Sequence, residues 1–153
     1  MNKKVFGRKL SRSRPAREAL FASLAIALIK NGKIVTTRAK AKAVVPSVEK
    51  MVTLAKKGDL AARRRVLGRL DNTREATEIL FANVVKAFSE KTSGFTRVVS
   101  LPRRTGDNAE MVRLEWTEKV QFEEKKAEVK KEKKEKVKKV EKKVVKKEVK
   151  DKK

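Results

Sequence analysis

The sequence contains no cysteine and no histidine. Disulfides are therefore impossible, and the usual zinc sites have no ligands. Histidine general-base chemistry and serine–histidine triads are excluded on the same ground. The absence of cysteine fits a reducing compartment. Glycine is scarce, with six residues scattered along the chain. None of them forms the clustered phosphate-cradling loop of a nucleotide-binding enzyme. Long apolar runs are missing too. The longest, "ALFASLAIALI" from Ala19 to Ile29, is too short to cross a bilayer. It runs into Lys30, Asn31, Gly32 and Lys33, which is no cleavage site, so neither a signal peptide nor a membrane helix is expected. The expected location is the cytoplasm.

Acidic residues are also in short supply. There are 19 against 43 Lys and Arg, a net charge of +24 on 153 residues. Self-repulsion on this scale opposes a compact state unless a polyanion neutralises it, and the abundant intracellular polyanion is nucleic acid. No two acids are spaced like a metal or glycosidase site. Glu75 and Glu78 sit where acids complement the dipole of a helix N-terminus. Asp107, in "TGDNA", reads as a turn residue.

Composition divides the chain in three. Residues 1–13 are basic, with Phe6 and Leu10 too far apart to start a core. Residues 121–153 hold 16 Lys, 8 acids, no Arg, no Gly and no Pro, with valine nearly the only large apolar residue. This is a low-complexity tail of net charge +8, disordered or partly helical. Residues 14–120 form the domain. Residues 1–120 carry +16 by themselves and suffice to bury roughly two thirds of their unfolded surface.

Within the domain, periodicity predicts four helices and three short strands. Pro15 opens the first helix, Leu20, Phe21, Leu24, Ala25, Leu28 and Ile29 form its apolar face, and "KNG" closes it. "KIVTT" is β-branched and reads as a strand. From Arg38 to Lys57 an apolar face of Val44, Val45, Val48, Met51, Val52 and Ala55 predicts a second helix closed by Gly58. Pro46 inside it is expected to kink or restart it. Asp59 is expected to cap a short third helix. Asn72 or Thr73 begins a fourth, with Leu80, Phe81, Val84, Val85 and Phe88 inward. "SGFTRVVSL" and "MVRLEWTEK" are strands joined by the turn-rich "PRRTGDNAE" as an antiparallel hairpin. Val112, Leu114 and Trp116 alternate with polar residues, so Trp116 is assigned to the core. The expected class is α+β: about four helices on a small three-stranded sheet, with the basic extension and the tail appended.

What could do chemistry is basic. Four clusters stand out: Lys3, Lys4, Arg8, Lys9, Arg12, Arg14 and Arg17 near the start; Thr36, Thr37, Arg38, Lys40 and Lys42; Arg63, Arg64 and Arg65 with Arg69; and Arg97 with Arg103 and Arg104. The planar fork of arginine suits phosphate oxygens. Thr37 is placed to cap the second helix, whose free amides then face an anion among Arg38, Lys40 and Lys42. The extension has too little apolar surface to order by itself and gains order on a polyanion.

"GRKLSR", "LAIALIKNGKIVTTRAKAKAV", "VTLAKKGDLAARR", "GFTRV" and "RTGDNAEM", in this order, resemble the bacterial large-subunit ribosomal protein L-seventeen family. The likeness runs from about Lys3 to Trp116. It implies an α+β structural protein of the large subunit that is not an enzyme and has no cofactor. It implies binding to 23S ribosomal RNA near the rim of the peptide exit tunnel, beside neighbouring large-subunit proteins, with no membrane and no small-molecule substrate. By motif, Arg8, Lys9 and Arg12 in the extension, Thr36, Thr37, Lys40 and Lys42 at the junction, and Arg97 and Arg104 would face RNA. The family's histidines near the chain start are replaced here by "SRPAR", which leaves that contact to Arg14 or Arg17. Pro46 and the lysine-rich tail also depart from the family pattern. The rival reading is a nucleoid-associated or histone-like DNA-binding protein, which the Lys/Val/Glu tail favours and the arginine-rich body opposes.

The tail bears a third of the net charge, but its valines are poor helix formers and bury too little to hold a helix without a partner. Truncation after Val120 is expected to leave the thermal melting of the domain unchanged and to flatten the salt dependence of polyanion binding.

Overall fold

The computed structural model describes residues 7–120; Lys3, Lys4 and the tail from residue 121 lie outside them. The described chain runs α1 (Arg14–Asn31), β1 (Lys33–Thr37), α2 (Arg38–Lys56), α3 (Leu60–Arg69), α4 (Arg74–Ile79), a π-helical stretch (Leu80–Val84), α5 (Val85–Ala87), β2 (Thr96–Ser100) and β3 (Met111–Trp116). The π stretch joins α4 to α5, so these three make the fourth helix. The α+β expectation of four helices on a three-stranded sheet holds.

Pro15 sits in the first turn of α1, where its missing N–H is no loss. Gly32 ends the helix at φ 74°, and its N–H donates to the Leu28 carbonyl at 2.8 Å. The left-handed conformation there is one that glycine adopts without strain. Ala22, Ala25, Leu28 and Ile29 are the buried residues of α1. Leu20, Phe21 and Leu24, expected inward, are half-buried. α2 buries Ala41, Val44, Val48, Met51, Val52 and Ala55, and Val45 is half-buried. It continues through Pro46 without a restart. Pro46 is exposed, so the ring stands on the solvent side and the inward stripe is uninterrupted.

α3 packs through Ala62 and Val66 and is followed by buried Leu70. Asp59 occupies the N-cap position with extended backbone, yet its side chain makes no capping bond. The expected cap is therefore positional only, with the Arg63 N–H reaching the Asp59 carbonyl at 3.0 Å. Thr73, not Asn72, begins the fourth helix; Asn72 is left-handed at φ 58°. Ala76, Leu80, Val84 and Phe88 are all fully buried. That is a strict four-residue repeat. On an α-helix such a repeat drifts by about 40° per step. A wider π turn takes up part of the drift and holds the four side chains on one line. Phe81 and Val85, expected inward, are half-buried for the same reason.

The sheet order is β1-β3-β2, with both neighbours antiparallel to β3. Val112, Leu114 and Trp116 of β3 are buried against the helices, as the alternation predicts. Met111, Arg113 and Glu115 point to the opposite face, in register with Thr37, Val35 and Lys33 of β1 and, for Arg113 and Glu115, with Val99 and Arg97 of β2. Val35 is exposed, as expected of a face that no helix covers.

Helices and sheet are locked where three aromatic rings meet. Phe88 stands edge-on to Phe95 with centroids 5.3 Å apart and lies 5.8 Å from Trp116. Such pairs add roughly 0.5–1.5 kcal/mol beyond area burial. Lys56, at the end of α2, completes the junction. Its Nζ donates to the carbonyls of Phe88 (2.8 Å), Ser89 (3.1 Å) and Lys91, and lies 5.8 Å from the Phe95 ring centroid. A cation at a helix C-terminus satisfies carbonyls that the helix itself cannot.

Trp116→Ala is expected to lower stability by about 3–5 kcal/mol in denaturant unfolding. Lys56→Met, which keeps the stem and removes the donors, is expected to lower it by about 1–3 kcal/mol through the carbonyls left unpaired.

Candidate nucleic-acid interface

The described cations fall into two sets. One set is paired. Arg97 Nε donates to Glu115 at 2.6 Å, and Arg113 lies 2.7 Å from the other oxygen of the same carboxylate. Arg38 pairs with Glu110 at 3.2 Å, with Arg103 4.0 Å from the second Glu110 oxygen. Arg104 grips Asp107 with two nitrogens, one at 3.1 Å. Arg14 pairs with Glu18 at 2.9 Å. Antiparallel pairing puts Arg97 directly opposite Glu115 on β3, which is why that contact forms without a bend in either chain.

These pairs set the local electrostatics. The Arg97 hydrogen bond, assisted by the charge of Arg113, holds the Glu115 carboxyl below the usual carboxylate range. Arg104, aided by the Ala109 N–H at 3.2 Å, holds Asp107 down to about 2. Asp107 thus organises the hairpin turn, as the sequence suggests. Glu75, at the start of α4, accepts from Lys30 at 2.7 Å, which lowers its pKa. It ties α4 to the end of α1.

The second set enters no ion pair among the described residues, and part of it lies beside the extension. Arg8, Lys9 and Arg17 line a cleft of about 950 Å³ bounded by α1, α2 and the end of α3. Lys50 and Arg69 complete its basic lining, and Glu18 and Asp71 are its acids. Arg8 also lines a second recess of about 420 Å³ at the start of α2, with Thr37, Arg38, Lys42 and Glu110. Arg8 therefore borders both recesses.

The second recess is the junction that the sequence points to, with two differences. Thr37 has cap geometry but makes no side-chain capping bond. The first amide of α2, on Arg38, is already taken by the Glu110 carbonyl at 2.9 Å. Glu110 itself was not among the expected residues, since it comes from the far end of the hairpin. Thr36 is buried at 8% exposure, because the strand alternation turns it inward beside Val112.

The remaining expected residues stand apart from both recesses. Arg12 is exposed and donates to the Leu10 carbonyl at 2.9 Å. Lys40 is half-buried and Arg64 exposed. The Arg63 guanidinium lies 5.5 Å from the Phe81 centroid, so it is partly engaged in packing α3 on the fourth helix. Lys50 was missed, whereas Arg69 belongs to the third basic cluster read from the sequence. The signal for Lys50 is the exposed four-residue repeat Lys42, Pro46, Lys50 opposite the buried stripe of α2. Among the described residues no group of three or more acids could hold a metal ion.

Fold and recesses together define a class: a small, strongly basic α+β domain with cation-lined recesses beside its N-terminal segment. The family model described as "Ribosomal protein L17" matches residues 20–117, which span β1 to β3 and most of α1. A curated relative, "Large ribosomal subunit protein bL17" from Persephonella marina (strain DSM 14350 / EX-H1), is 47% identical over 119 residues, covering 77% of this chain and 96% of the relative. The chain belongs to the ribosomal protein L17 family.

The Arg104–Asp107 contact gives the hairpin turn a pH signature. Because the folded pKa lies below the ordinary value of 3.8, the stabilisation is complete above about pH 4 and is lost as pH falls toward 2. An NMR titration of the Asp107 carboxyl carbon is expected to show a midpoint near 2, returning toward about 3.9 in Arg104→Gln.

Proposed function

We propose that this chain is a structural, non-catalytic component of the bacterial large ribosomal subunit, and that it binds 23S ribosomal RNA through phosphate contacts near the rim of the exit tunnel. The observation that carries the reading is the segregation of charge. Acids pair with arginines of the hairpin and sheet, while Arg8, Lys9, Arg17, Lys50 and Arg69, which line one cleft, enter no ion pair among the described residues. Family membership and the printed name of the relative point the same way. The domain boundaries follow from this reading: residues 1–13 reach into RNA, residues 14–120 fold, and residues 121–153 add charge. Neighbouring large-subunit proteins are the other partners, and the location is the cytoplasm. No helix among the described residues is long and apolar enough to cross a membrane.

Phosphate binding is strongly salt-dependent because each neutralised phosphate releases counterions. The slope of log K against log salt on a large-subunit RNA fragment is expected to fall by about 0.7–0.9 for each phosphate contact removed. Arg8→Gln and Lys42→Gln should each remove about one; Val35→Thr, on the uncovered sheet face, should remove none. In extracts the protein is expected to sediment with the large subunit in magnesium and to stay there after DNase. Release by DNase would favour the histone-like alternative, and a flat salt response would exclude phosphate-led binding.

A further inference from the structure

The larger cleft is not built for phosphates alone. Its cations, Arg8, Lys9, Arg17, Lys50 and Arg69, surround a lining that includes Phe21, Ala22, Pro46 and Met51. Apolar side chains of this kind offer a phosphate nothing. Asp71, which also lines the cleft, repels phosphate but accepts hydrogen bonds from an exocyclic amino group. Phe21 is the notable member. Helical spacing assigns it to the core stripe of α1, and the chain has only six Phe and one Trp with which to fill that core. Yet Phe21 is half-buried and borders the cleft.

Resting on the RNA-binding reading, we propose that this cleft receives an unpaired nucleotide of RNA. The base enters against Phe21 and the apolar lining, and the flanking phosphates lie on the basic rim. A duplex cannot use such a site, because its bases are stacked away and it shows mainly phosphates and 2′-hydroxyls. A splayed base offers a π-face to an aromatic ring and amino and carbonyl edges to polar neighbours. The cleft volume of about 950 Å³ lies within the range of pockets that enclose small organic ligands.

The test uses the full chain and two RNA hairpins of equal phosphate count, one fully paired and one carrying a single bulged 2-aminopurine, a fluorescent adenine analogue. The bulged hairpin is expected to bind at least about five-fold more tightly, the low end for one stacked base, with its fluorescence quenched on binding. Phe21→Leu keeps an apolar side chain and removes the π-face. It should abolish most of the preference and the quenching while binding of the paired hairpin stays unchanged. Lys50→Gln with Arg69→Gln should weaken both hairpins, and it reads the rim independently should Phe21→Leu prove poorly folded by its melting curve. Equal affinity for the two hairpins, or a preference untouched by Phe21→Leu in a folded protein, overturns the nucleotide cleft and leaves the phosphate-binding reading standing. Failure to bind either hairpin in a salt-dependent manner overturns both.

Discussion

The alternation along β3 is the constraint on which the rest of the molecule depends. β3 is the central strand, and both other strands pair with it alone. Its inward residues, Val112, Leu114 and Trp116, are the floor on which the helices pack. A one-residue slip of either neighbour would turn that neighbour's side chains to the opposite face. Slippage is resisted at both ends. On the outer face Arg97 meets Glu115 across the β2–β3 pair. On the inner face Trp116 is held in the aromatic junction with Phe88. The helical layer inherits its position from this strand, because Lys56 and Phe88 carry α2 and the fourth helix to the same junction.

The same strand and its hairpin also sort the charge. Glu110, Glu115 and Asp107 lie within nine residues of each other, and together they engage Arg38, Arg97, Arg103, Arg104 and Arg113. These are exposed or partly exposed contacts, each worth little to folding. Their larger effect is to offset the positive charge of the sheet and hairpin. A domain with so few acids achieves a directional surface by where it spends them.

Much of the architecture was legible in the sequence. Four helices, three strands, the hairpin and the core role of Trp116 follow from periodicity and turn chemistry, because burial on one face imposes a local repeat. Capping was less legible. Thr37, Asp59 and Thr73 occupy N-cap positions, but none of their side chains makes the capping bond; residue type fixes the tendency and the rotamer decides the contact. The π stretch was hidden as well. A repeat of Ala76, Leu80, Val84 and Phe88 reads as ordinary helix, and only packing against two layers at once demands that all four stay in line.

The sequence alone determined that the protein is strongly basic, that histidine and cysteine chemistry is closed to it, and that it folds as a small α+β domain. Those are properties of composition and of repeats a few residues long. Only the tertiary structure decided which cations are free. Arg97 and Arg8 look alike in the chain, yet one is bound to a carboxylate eighteen residues away and the other lines two recesses. Thr36 and Thr37 are neighbours, yet strand alternation buries the first and turns the second to the junction. Lys50 and Arg69 came to line one cleft only when α2 and α3 packed side by side. Ion pairing and cleft formation are contacts between distant segments, and no local pattern encodes them.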